Sequence, residues 1–282
     1  MCSKQASEWI IPNGFSRSAE DKNSVANSYE WYDKPEFLLC LSIFQKGTLW
    51  MNLGYGGDWD PTVAGEALFL HLFQGIDISK CKNVLDVSSG YGDQERSLQS
   101  IIPELNYVGV NPSATQNNIA RYRANPKSTF LLGAVGSGIL QDWPEELKGS
   151  YDMIISNENA FHFPCRDTFY TNCLPLLSTS GYIFVHDMIH SSASKELLHK
   201  YFESKGYEVI KLENISDQIL GFKNMEKLYP KWQPALLGFP PTAGPGQVFP
   251  HNKSPFGSLG GIKNPIYWEI VLQKAFKHPE IE

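Results

Sequence analysis

The sequence predicts an α/β fold: an open, seven-stranded, mostly parallel sheet with helices on both faces. Three observations carry this. Residues 83–92, NVLDVSSGYG, read as a buried strand (Val84, Leu85, Val87) running into a glycine turn and a helix bearing Leu98, Ile101 and Ile102. Short apolar runs then alternate with helical patterns as far as residue 212, the signature of strand–helix–strand units. The strongest β-former in the chain, IYWEIVL at 266–272, stands beyond a long irregular segment and is expected to close the sheet as its last strand.

Residues 1 to about 26 are polar and unpatterned, and Ser28 to Gln45 reads as a helix with Phe37, Leu41 and Phe44 on one face. The loop LWMNLGYGGDWD at 49–60 is rich in aromatics and glycine, which suits a loop packed over something. Asp60-Pro61 opens a helix that is apolar nearly all round (Val63, Ala67, Leu68, Leu70, Leu72, Phe73) and should be buried. Strands follow at 107–110, 130–132, 151–156, 182–186 and 207–212. Helices are expected from Ser113 through Tyr122, around Phe169, Cys173, Leu176 and Leu177, and over 195–204, where Gly206 is the stop. Residues 228–265 hold eight prolines and six glycines among five aromatic residues, a length and composition that suit a lid or partner arm. The chain therefore divides into an N-terminal helical cap and lid loop, 1–76, and a core, 77–282, with a lid or substrate insert at about 213–265.

Thirty acids against 24 bases give a net charge of −6 with no basic run, which argues against a nucleic-acid surface and for a small-molecule partner. Five cysteines without metal or redox spacing fit a reducing compartment. No stretch reaches signal-peptide or membrane-span character, so a soluble cytoplasmic protein, monomer or homodimer, is expected, with no metal.

A carboxylate inside the first strand, Asp86, followed by Gly90 and Gly92 and, 25 residues on, by Asn111 at the end of the second strand, is the layout of a nucleotide-type site. A dinucleotide fingerprint would need a third glycine where Glu95 stands, and a pyrophosphate there would meet two acids. DVSSGYG at 86–92, VGVNPSATQ at 108–116, YDMIISNENAFHF at 151–163 and GYIFVHDMI at 181–189 resemble, in order, the motifs of class I S-adenosylmethionine-dependent methyltransferases, nearest to the small-molecule branch that acts on sugars and natural products. The resemblance spans roughly residues 45–212. It implies a Rossmann-like core in which Asp86, Gly90 and Gly92 hold the methionine end of S-adenosyl-L-methionine, and Asn111, Ser113 and Gln116 hold its ribose. Ser113 and Gln116 also form a helix capping-box pattern. Further contacts are implied for Tyr55, Ser88, Ala134, Val135 and Asn157. Ser88 replaces a family glycine, Ala134 the aspartate that reads adenine, and LLSTSG the family's usual R-V-L-K-P-G-G.

His162 matches a histidine that such enzymes use as general base, and Asp187 its acidic partner. A hydroxyl acceptor needs its proton removed, and histidine, with an unperturbed pKa of about 6.5, suits that task. The expected activity is methyl transfer to a hydroxyl of a small, aromatic or apolar acceptor. N-methylation of an amine by proximity alone, or a non-catalytic cofactor-binding subunit, are the alternatives.

Overall fold

A computed structural model of the chain describes residues 50, 52, 54–56, 61–133, 149–160, 163, 166–219 and 265–275. The expected N-terminal helix, the 228–264 part of the insert, His162, Ala134 and Val135 lie outside these residues. The described elements run α1 (Pro61–His71), β1 (Asn83–Val87), α2 (Asp93–Ile101), β2 (Asn106–Asn111), α3 (Ala114–Arg123), β3 (Thr129–Leu132), β4 (Tyr151–Asn157), α4 (Arg166–Leu176), β5 (Leu177–His190), α5 (Lys195–Ser204), β6 (Tyr207–Asn214) and β7 (Pro265–Lys274).

The seven strands form one sheet in the order β3-β2-β1-β4-β5-β7-β6. All pairings are parallel except those of β7, which runs antiparallel to both β5 and β6. The last strand therefore closes the sheet from within. Its run from Tyr267 to Leu272 is buried throughout and apolar on both faces except at Glu269, a pattern that suits an interior strand; an edge would leave one side of its backbone unpaired.

Alternation along β1 divides the core. Leu85 and Val87 point to one face with Phe169 and Tyr170 of α4 and Leu198 and Phe202 of α5. Val84 points to the other with Phe69 of α1, Leu98 of α2 and Ala120 of α3. Helices thus cover both sides, as parallel sheets require.

Three expectations need correction. Helix α1 is not buried all round: Ala64, Leu68 and Phe69 are buried, but Val63 and Leu70 face solvent. Strand β5 begins at Leu177, directly after α4, and runs 14 residues rather than five. Its pairing with β4 shifts between Tyr151 and Met153, which takes up the Ser-Thr-Ser-Gly stretch before the regular register from Tyr182. Consequently Asp187 lies inside β5, opposite Trp268 of β7, and not past its end.

Candidate functional site

The turn after β1 is held by β2. The backbone N–H groups of Ser88 and Ser89 both donate to the carbonyl of Val110, at 2.7 and 3.2 Å. Ser88 takes φ +70° and Gly92 φ +84°, the left-handed region that glycine tolerates and serine does not favour. Gly109 of β2 admits the turn: a Cβ there would stand 2.7 Å from Ser89 Oγ and 2.8 Å from Phe130. An open cleft results, at the carboxyl ends of β1 and β4. Ser88, Ser89 and Gly90 line one wall, Asn157, Glu158 and Asn159 another, and Trp50 and Asn52 of the aromatic loop approach it. Asn159 ties two walls together by donating to the carbonyls of Ser88 (3.3 Å) and Asn157 (2.6 Å). Glu158, at φ +58°, accepts from the Tyr267 hydroxyl at 2.5 Å.

Asp86 lies beneath this cleft and not on its wall. It is fully buried, and one oxygen accepts from the Tyr107 hydroxyl while the other has no partner. Burial outweighs that hydrogen bond and pushes its carboxyl up to about 7. Tyr107 is the partner sequence reading missed; its place in register beside Val84, one position before the residue facing Leu85, was not visible in an apolar run.

Asn111, Ser113 and Gln116 gather at the end of β2, all buried. Ser113 caps α3 by accepting from the Gln116 N–H at 3.0 Å. The Gln116 side chain accepts from Asn111 Nδ2 at 2.6 Å. This cluster adjoins the turn through Val110 but does not line the cleft.

The two acids at the head of α2 are both buried, and Asp93 also borders the cleft. Asp93 is gripped by Arg123 at 2.7 and 2.9 Å, and Glu95, buried, accepts from Ser128 Oγ at 2.7 Å. Glu95 therefore staples α2 to the segment before β3, and the third-glycine argument against a dinucleotide rests on its bulk more than on its charge.

Asp187 is also fully buried, with both oxygens taken by Arg166: Nε at 2.6 Å and a second guanidinium nitrogen at 3.0 Å. Burial raises its carboxyl, with the Arg166 charge opposing. Tyr55 does not line the cleft. It stacks on His71 with ring centroids 4.1 Å apart and bridges to Ile219.

The residues present suit a polar, compact ligand. Ser89 and Gln94 are among the residues that line the cleft, and their Oγ and Oε1 are buried without a hydrogen-bond partner. The glycine turn leaves backbone within reach of a ligand. Both features fit an amino-acid-bearing nucleoside.

No family model matches the chain. It is 28% identical over 145 residues to erythromycin 3''-O-methyltransferase of Saccharopolyspora erythraea, over 50% of this chain and 46% of the relative, so the match spans less than half the relative's length. Among solved structures it superposes on the 4+2 cyclase SpnF with a TM-score of 0.68 at 16% identity, over 89% of this chain and 96% of that one. It superposes on the geranyl diphosphate C-methyltransferase of Streptomyces coelicolor, solved with S-adenosyl-L-homocysteine, with a TM-score of 0.60 at 12% identity, over 94% and 99%. The fold is the Rossmann-like one of small-molecule methyltransferases. Among the described residues no helix is long and apolar enough to cross a membrane.

Proposed function

We propose that the chain is an S-adenosyl-L-methionine-dependent methyltransferase that acts on a hydroxyl of a small-molecule acceptor. The observation that carries this is the cleft at the ends of β1 and β4, walled by the glycine turn on one side and by Asn157, Glu158 and Asn159 on another. The partial likeness to an O-methyltransferase supports the reaction, and the structure solved with the demethylated cofactor supports the donor. The fold alone does not decide, since one neighbour of the same shape is named a cyclase.

The donor, when bound, supplies an electrophilic methyl group on a sulfonium. The work of this chain is to align the acceptor, exclude water and remove a proton. Ser88, Gly90 and Gly92 are assigned to the methionine end with Asn157, above Asp86. Asn111, Ser113 and Gln116 are assigned to the ribose, and Tyr55, Ala134 and Val135 are assigned to the cofactor by the resemblance of the sequence alone. His162, which follows β4 in the chain, is assigned as general base. Asp187 anchors Arg166 at the start of α4, which in sequence lies four residues on from His162.

Calorimetry with S-adenosyl-L-homocysteine and transfer of radiolabelled methyl to hydroxylated and to amine acceptors test the reading. Saturable binding with label only on hydroxyl acceptors is expected. Saturable binding of NAD with none of the homocysteine compound overturns it.

A further inference from the structure

Glu269, fully buried on β7, gathers side chains from three other elements around one carboxylate. Its Oε2 lies 2.5 Å from His71 Nδ1 and 3.0 Å from His186 Nε2, and Lys211 of β6 pairs with Oε1. The opposite edge of the His186 ring, Nδ1, stands 2.9 Å from Asn157 Oδ1, the end of the amide placed toward it, on the cleft wall. Among the described residues no hydrogen bond reaches the other end of that amide.

The protons on this chain of contacts are constrained. A carboxylate can only accept, so the ring nitrogen that faces Glu269 carries the hydrogen: His186 is an Nε2–H donor. A neutral imidazole then has a bare lone pair at Nδ1. A carbonyl oxygen at 2.9 Å from that lone pair would be repelled, whereas an amide NH2 would donate to it. The two ends of an asparagine amide are nearly the same size, so the proton balance decides which faces the ring. Burial favours the neutral ring, and Lys211 already supplies the positive charge that balances Glu269. The same balance argues against a divalent ion among His71, His186 and Glu269, although their ligand atoms lie within 4.8 Å of one another. With Lys211 beside it, such an ion would leave two uncompensated positive charges in the core.

We infer that Glu269, through His186, turns the Asn157 amide so that its NH2 faces the ring and its carbonyl oxygen faces the cleft, making Asn157 an acceptor for a cationic or hydrogen-bond-donating group. Under the proposed function, on which the identity of this ligand rests, that group is the ammonium of the methionine end. His186 acts through Asn157 and is a positioning residue.

Nitrogen NMR of the full-length protein labelled at histidine reads the tautomer, with the His186 signal assigned by its loss in His186→Asn. A neutral ring protonated at Nε2 is expected. An imidazolium, or a ring protonated at Nδ1, overturns the inference, as does a divalent metal retained at one equivalent through purification. Two variants then separate positioning from structure. His186→Asn can still offer an oxygen to the Asn157 amide, while His186→Gln reaches Glu269 and loses that contact. Binding of S-adenosyl-L-homocysteine should weaken about tenfold in His186→Gln and recover most of that loss in His186→Asn at matched thermal stability. Equal losses that follow the unfolding temperature overturn it. If the unaltered protein binds neither form of the cofactor, the proposed function fails, and the tautomer alone still decides the orientation of the amide.

Discussion

Arg166 grips Asp187 with two guanidinium nitrogens, at 2.6 and 3.0 Å, and the second of them also donates to the Met188 carbonyl at 2.8 Å. Both side chains are buried, so the first turn of α4 is locked to the middle of β5 by a planar fork. Removing one member strands the other charge. Arg166→Ala should lower the unfolding free energy by about 3–5 kcal/mol, and Arg166→Lys should recover only part, because an ammonium cannot reproduce the fork. Urea denaturation at neutral pH checks this; a loss near zero would mean that the pair is replaced by water.

Asp86 makes stability depend on pH. Its folded-state carboxyl is pushed up to about 7 from 3.8 by burial, against the Tyr107 hydrogen bond. Between those values the folded protein keeps a proton that the unfolded chain has released. Folding then takes up a proton, and stability falls as pH rises through that window, by at most about 1.4 kcal/mol per pH unit. Asp86→Asn keeps an acceptor for Tyr107 and cannot ionise. The difference in unfolding free energy between Asp86→Asn and the unaltered protein should therefore grow from about pH 4 to 7 and then level off. A difference that is flat across that range would show the carboxylate to be solvated.

Ser88 holds a left-handed conformation in a turn where the methyltransferase motif that the sequence resembles carries glycine. The left-handed region costs a non-glycine residue roughly 1–2 kcal/mol, partly offset because serine has less freedom to lose on folding. Ser88→Gly should raise stability by about 0.5–1 kcal/mol with an unchanged denaturant slope. A destabilised variant would show that the serine hydroxyl is holding the turn.

The sheet was legible because its strands are short apolar runs between turn residues, and the glycine turn because Gly90 and Gly92 sit at a strand end. What escaped the sequence is what depends on register between distant segments. Glu269 looks like a polar interruption in IYWEIVL until β7 is placed between β5 and β6, where it meets His186 and Lys211. Arg166 drew no notice in the sequence, and its partner, Asp187, was expected past the end of a five-residue strand. Tyr55 was read from its loop alone, and only the approach of His71 shows what it packs on. For Glu269 and Asp187 a charge in an apolar run was the available signal, and it announces a partner without naming it.

The assignment of His162 as base carries the sharpest kinetic consequence. If it removes the hydroxyl proton, His162→Ala should lower turnover by roughly 100-fold to 10,000-fold and leave cofactor affinity nearly unchanged, since the loss falls on the transition state. The turnover of the unaltered enzyme should rise with pH through the histidine range, near about 6 to 7, and then level off, because only the neutral imidazole accepts a proton. That limb should vanish in His162→Ala. Asp187→Asn makes a useful contrast: with both of its oxygens on Arg166, its loss should appear mainly as reduced stability, with the pH limb kept. Near-normal turnover by His162→Ala with the limb intact would remove His162 from the chemistry and favour an amine acceptor, whose rate would climb with pH until its own higher pKa is passed.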